Sequence, residues 1–162
     1  MKANIVDVIV EIPKGSQNKY VWDQQRKRVR LDRVLHSSIH YPADYGFVVD
    51  TLAPDGRPAD VLLLVTNPTF PGCMVSGRVI GCLRTHDEKG EDNKIIAVPV
   101  HDPRQANIET LSQVPQHVLK EIEYFFAAYK ELEGKPVEVK GWGSAWEAVA
   151  LIQRYREAAI AK

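Results

Sequence analysis

Residues 45–65 read YGFVVDTLAPDGRPADVLLLV. Two runs rich in branched and aromatic residues flank a turn made of Pro, Asp and Gly, the residues that favour tight reversals. The expectation is two strands, 45–53 and 59–65, joined at PDGRP. The turn also carries chemistry. Asp55 and Asp60 offer hard carboxylate oxygens of the kind that Mg2+ takes as ligands. Between them stands Arg57, a permanent cation. A metal-binding turn with a fixed positive charge at its centre needs an explanation.

Working outward, the N-terminal side adds more strand-like runs. NIVDVIVEI, 4–12, is rich in Ile and Val, and PKGSQNK after it reads as a turn. KYVWD and KRVRLDRVL read as a hairpin around QQRK. On the C-terminal side, MVSGRVIGCLRT reads as a long strand whose glycines allow bends. DEKGEDNK is then a charged loop before the strand IIAVPV. From Pro115 the period changes. Leu119, Ile122, Phe126 and Tyr129 recur at helical spacing, with Pro115 at the first turn and Gly134 as a C-cap. Ser144 and Glu147 form the S-x-x-E signature of a capping box at the start of a second helix. Many short strands followed by two helices predict an α+β fold. Its sheet would be a small closed or nearly closed barrel, with both helices flanking it.

The chain of 162 residues suits one domain, 1–162, with a substantial core. Its 21 basic and 21 acidic residues cancel, so no global field favours nucleic acid or a membrane surface, and any anion site must be a local cluster. Cys73 and Cys82 read as reduced, buried thiols of a cytosolic protein rather than a disulfide framework. The N-terminal apolar runs are short and broken by Asp7 and Glu11, which fits neither a signal peptide nor a membrane span.

Acidic residues concentrate in two stretches beside apolar strands. One holds Asp55 and Asp60; the other, THDEKGEDNK, holds Asp87, Glu88, Glu91 and Asp92. Two such loops converging would suit one or more hard divalent cations, although DEKGED taken alone is more readily a solvated hairpin tip. Lys19, Arg33, Lys94 and Lys130, with Tyr41, Tyr45 and Tyr129, supply phosphate-binding chemistry: a planar fork, point charges and neutral donors. Each is individually ordinary, and Tyr129 fits a helical core stripe equally well. His36 and His40 are spaced for zinc on a helix, but their serines and the following Tyr-Pro disfavour one and no third ligand is evident. Carboxylates for metal beside cations for phosphate would together suit metal-assisted phosphoryl chemistry.

The blocks VEIPKGSQNKY, RLDRVLHSSIHYPADYGFV, DGRPADVLLLV, PGCMVSGRVIG, DEKGEDNKIIAVP and FFAAYKELE, in this order, resemble the soluble family I inorganic pyrophosphatases. The resemblance runs from about Ile5 to Tyr155. It implies an OB-like barrel with flanking helices and a cytoplasmic homo-oligomer, commonly a hexamer in bacterial members. It also implies hydrolysis of pyrophosphate to two phosphates, with several Mg2+ ions (Mn2+ as a substitute) activating the attacking water. By the same resemblance Asp55, Asp60, Asp87 and Asp92 are metal aspartates and Glu11 lies near the outer metal positions. Lys19, Arg33, Tyr45, Lys94, Tyr129 and Lys130 are the phosphate-binding set, expected on the wall opposite the carboxylates. Tyr41 belongs to the site wall. Asp55, Asp60, Asp92 and Tyr45 form the catalytic group.

Two positions depart from the family pattern. The turn is usually D-G-D-P-x-D, and its middle aspartate, associated with the nucleophilic water, is here Arg57. The glutamate that usually follows Lys19-Tyr20, a contact of metal or its water, is here Val21. The pocket's formal charge rises by two at the first position and by one at the second. At about 5 Å, an Arg would repel Mg2+ by roughly 7 kcal/mol at an effective dielectric near 20. Arg57 must therefore leave the pocket, weaken a metal site or take over part of a metal's role. The expectation is a diphosphatase with impaired or altered turnover. The alternatives are a binding relative that holds pyrophosphate or phosphate, and a structural partner of an active enzyme.

Overall fold

The computed structural model describes residues 2–162. Five strands close into a barrel: β1 (Ile5–Ile12), β4 (Asp44–Val48), β5 (Asp60–Leu63), β8 (Lys94–Pro99) and β6 (Met74–Asp87), with β6 returning to pair with β1. β5 and β8 are parallel and the other barrel pairs antiparallel. This is the OB-like barrel that the resemblance implies. β6 is long enough to serve several neighbours. Its start pairs with β1, its middle with β8, and its far half with β9 (Glu138–Ser144). The hairpin β2 (Asn18–Asp23) and β3 (Arg28–Val34) forms a separate two-stranded sheet.

Strand alternation divides the apolar residues into two layers. Val8, Val48, Val61, Leu63, Val79, Ile95 and Ala97 pack inside the barrel, joined by Ala148, Ile152 and Tyr155 of α2 (Ala145–Ala161). Tyr45, Leu62, Ile80, Leu83 and Ile96 face outward and are covered by Ile122, Phe125 and Phe126 of α1 (Gln116–Ala128). Each such large side chain, fully buried, contributes roughly 1.5–3 kcal/mol before entropic costs. β1 and β4 meet so closely that a Cβ at Gly46 would lie 2.0 Å from the Ile9 carbonyl oxygen. Any side chain there would force the strands apart beside Tyr45.

Four local expectations change. The strand expected over 45–53 stops at Val48. The Thr51 hydroxyl donates to the Val48 carbonyl at 2.7 Å and accepts the Ala59 N–H at 2.9 Å, which bends the chain away. Gly134, with φ of +73°, caps the 3-10 turn Glu131–Glu133 rather than α1, whose own cap is Tyr129. Ser144 accepts the Glu147 N–H at 3.1 Å, but the reciprocal half of the capping box is not made, because the Glu147 carboxylate pairs with Arg84 at 2.7 Å. DEKGEDNK is also more than a loop: β6 runs to Asp87, and the short β7 (Gly90–Glu91) pairs back onto it. Both cysteines are free; Cys82 is buried as expected and Cys73 is only partly so. Among the described residues no helix is long and apolar enough to cross a membrane.

Candidate active site

The start of β8 sets the centre of the site. Asp92 and Lys94 are two residues apart, so an extended chain turns both side chains to one face. β5 runs beside it in parallel, with Val61 next to Ile95, which brings Asp60 alongside. Tyr45 comes across from β4. The Lys94 ammonium, 3 % exposed, donates to Asp60 Oδ2 at 2.8 Å, Asp92 Oδ2 at 2.9 Å and the Tyr45 hydroxyl at 2.9 Å. All three of its protons are thereby placed. Burial works against the charge on Lys94, but its neighbours, Asp60 foremost, then Tyr45, Tyr129 and Asp92, outweigh it and hold the pKa well above the ordinary value. Burial likewise works against charge on Asp60, and Lys94 overcomes it, leaving that carboxyl below its usual range. Asp92 is the compromised partner. Burial and the charge of Asp60 push it up to about 6, against the pull of Lys94. Burial holds the Tyr45 phenol well above its ordinary value, so it stays a neutral hydroxyl.

These four residues floor a cleft of ≈ 350 Å³ between the barrel's outer face, the β2–β3 hairpin and the segment after α1. Every residue proposed for metal or phosphate binding lines it: Glu11, Lys19, Arg33, Tyr45, Asp55, Asp60, Asp87, Asp92, Lys94, Tyr129 and Lys130. Tyr41 does not. It is 1 % exposed and packs behind the wall, its ring tilted 5.5 Å from that of Tyr45 and 4.6 Å from that of Phe125. Its part is to support Tyr45.

The expected division into an acidic wall and a basic wall is wrong. Lys130 pairs with Asp87 at 3.5 Å, Lys19 with Asp32 at 3.7 Å, and Arg33 with Asp32 and, at 2.9 Å, with Glu133. Cations and carboxylates alternate around the cleft because partly buried charges of one sign, massed on one wall, would each face the full cost of desolvation. Asp32, which lines the cleft, and Glu133, which pairs with Arg33 without lining it, are not named by the motif reading. Asp32 alternates with basic residues in RVRLDRV and carries only the look of a surface strand; Glu133 enters from the 3-10 turn after α1.

The donor set matches a hard divalent cation in kind, since Asp55, Asp60, Asp87, Asp92 and Glu11 offer only carboxylate oxygens. They surround one cleft, yet among the described residues no three His, Cys, Asp or Glu side chains are drawn together as a ligand cage. His36 and His40 form no such group either. The Lys94 ammonium stands between Asp60 and Asp92. Glu11 accepts the Trp22 N–H at 2.8 Å, and burial, aided by Asp60, raises its carboxyl to about 7.

Arg57 and Val21 both line the cleft. Gly56, with φ of +82°, lets the turn close, and the Ala53 N–H donates to the Arg57 carbonyl at 2.7 Å. The Arg57 N–H donates to Asp55 Oδ1 at 3.0 Å. The Arg57 side chain is exposed at the mouth, within electrostatic reach of Glu11 and Lys19.

The family model described as inorganic pyrophosphatase matches residues 8–159. The inorganic pyrophosphatase of Geobacillus stearothermophilus is 50 % identical over 157 residues, covering 94 % of this chain and 95 % of that protein. That of Methanosarcina acetivorans is 49 % identical over 158 residues, covering 98 % and 94 %. The crystal structure of inorganic pyrophosphatase from Thermus thermophilus superposes with a TM-score of 0.94 at 41 % identity, over 97 % of this chain and 92 % of that one. The barrel, the charged cleft on its outer face and these likenesses over nearly the whole length agree: the chain belongs to the inorganic pyrophosphatase family.

Proposed function

We propose that this protein hydrolyses inorganic pyrophosphate to two phosphates with Mg2+, or Mn2+ in its stead, and that it does so slowly for its family. The observation that carries the reading is the cleft itself. Five carboxylates and a phosphate-binding set of two lysines beside Lys94, one arginine and two tyrosines line a single cavity. In the reaction a water oxygen bonds to one phosphorus as the bridging P–O bond breaks. The leaving phosphate takes the bonding electrons, and the two water protons end on the two phosphates. Bound Mg2+ would neutralise phosphate charge and make the water more acidic. Asp55, Asp60, Asp87, Asp92 and Glu11 are the residues to hold it.

The chain's own groups do the rest. Lys94, fixed by Asp60, Asp92 and Tyr45, holds a positive charge where charge grows on the transferring group, and it needs little reorganisation to do so. Arg33, Lys19 and Lys130 orient the substrate, and Tyr45 and Tyr129 donate as neutral phenols, both with pKa values raised by burial. At position 57 a guanidinium replaces the acid that would accept the water's proton; an arginine has no acceptor to offer. A missing general base costs about 10²–10⁴-fold. The assembly that accompanies this reading is a cytoplasmic homohexamer, consistent with the large apolar side chains exposed on the single chain, such as Phe70, Met74 and Tyr124.

The test is phosphate release from pyrophosphate over a range of Mg2+ and Mn2+, for the natural chain, Arg57→Asp, and Arg57→Asp with Val21→Glu. Turnover that rises in the variants supports the reading. A natural chain already as fast as the relatives, unmoved by Arg57→Asp, removes the claim of slowness. Pyrophosphate binding with no turnover in any of the three would make this a binding relative instead.

A further inference from the structure

The cleft holds two guanidiniums, and they differ in one respect. Arg33 is occupied by Asp32 and Glu133. Around Arg57, among the described residues, no carboxylate stands within ion-pairing distance, although its turn is well fixed. Pro58 follows it, and the Ala59 N–H is tied to Thr51 at 2.9 Å. A rigid turn therefore presents a free planar cation at the mouth of a cavity built for an anion.

Charge balance gives that cation a purpose. The cleft is lined by seven basic and seven acidic side chains, a formal sum of zero. Replacing Arg57 by Asp would change the sum by two, which is the charge of one divalent cation. We propose that Arg57 is a specificity residue: its guanidinium binds a phosphoryl oxygen of pyrophosphate directly, in the place of one divalent cation, so that this protein accepts pyrophosphate carrying less metal. The inference rests on the reading of the cleft as a pyrophosphate site. The guanidinium fork suits it, since two parallel N–H groups match two phosphate oxygens. Its neighbours suit it as well. Arg57 is close enough to Lys19 to lower that ammonium's pKa, adding to the larger effect of burial and to that of Arg33. An anion between Arg57 and Lys19 would relieve the repulsion between them.

The experiment is calorimetric titration of pyrophosphate into protein freed of metal by chelation and dialysis, for the natural chain, Arg57→Gln and Arg57→Asp, beside phosphate release in saturating Mg2+. The natural chain should bind metal-free pyrophosphate. Arg57→Gln should bind it about 10- to 100-fold more weakly, as expected for one lost charged hydrogen-bonding group, and Arg57→Asp more weakly still. Saturating Mg2+ should narrow the gap. Equal metal-free binding by Arg57→Gln would overturn the inference and make Arg57 a solvent-facing residue. A natural chain that turns over with Mg2+ but binds no metal-free pyrophosphate would overturn it too, leaving the pyrophosphatase reading intact. Neither binding nor turnover under any condition would overturn both.

Discussion

The floor and the mouth of the cleft hold the same kinds of residue under opposite conditions. At the floor, Lys94 is 3 % exposed and every one of its protons has an acceptor. At the mouth, Arg57 is exposed and its guanidinium pairs with no carboxylate among the described residues. A cation buried between two acids is part of the fold, because removing it strands uncompensated charge. A cation on a solvated turn is free of that duty, so its identity can change at little cost to folding while the chemistry of the cleft changes greatly.

Substitutions can break that contrast, beginning at the floor. Lys94→Ala should destabilise the metal-free protein by about 3–5 kcal/mol, since Asp60 and Asp92 lose their shared partner. Urea unfolding measures it, and a loss under about 1 kcal/mol would show that the floor is as tolerant as the mouth. Glu11, between the two, gives a pH signature. Its carboxyl, at about 7 in the fold against 4.5 unfolded, binds a proton more tightly in the native state. Its contribution to stability is therefore complete below pH 4.5 and is lost as pH rises through 7. In chelator, Glu11→Gln should remove this downward slope, worth up to about 3 kcal/mol over that window. Identical stability–pH profiles for the two proteins would mean that Glu11 is solvated in solution.

Arg33→Ala should weaken pyrophosphate binding by about 1.5–3 kcal/mol, the worth of a hydrogen bond to a charged group. An unchanged affinity would remove Arg33 from the site. The smallest effect belongs to the mouth. Arg57→Gln should shift unfolding free energy by no more than about 0.5 kcal/mol, as for other surface positions without partners. A larger loss would erase the distinction drawn between the two regions.

The parts legible in the sequence were those with a local signal. Val61 and Leu63 alternate with Leu62 because the barrel has an inside and an outside, and Ile122 and Phe126 recur because α1 covers one face. β9 was missed: Gly141 and Gly143 interrupt it and charged residues alternate through it, and it is a strand only because β6 offers a free edge. The residues that line the cleft were legible through the order of the motif blocks, while their mutual arrangement was not. No local pattern in DEKGEDNK says that Lys94 turns toward Asp60, which is brought near by strand pairing, or that Asp32 and Glu133 hold Arg33. Tyr41 was misplaced for the same reason: a tyrosine in a motif does not reveal whether its ring faces the cleft or props up a neighbour.

The parallel seam between β5 and β8 has a consequence for how the chain finds its fold. Val61 sits beside Ile95 and Leu62 beside Ile96, with Asp60 and Lys94 one step before them. Sliding either strand by one residue would exchange its two faces. Asp60 or Lys94 would then be driven into the barrel's apolar interior without its partner, a cost of several kcal/mol. The two ends of this seam are separated by more than thirty residues of intervening chain, so nothing local guides their alignment. The ion pair that floors the cleft thus also acts as a key for the barrel. A misaligned intermediate meets a steep penalty, and only the true register lets the chain close.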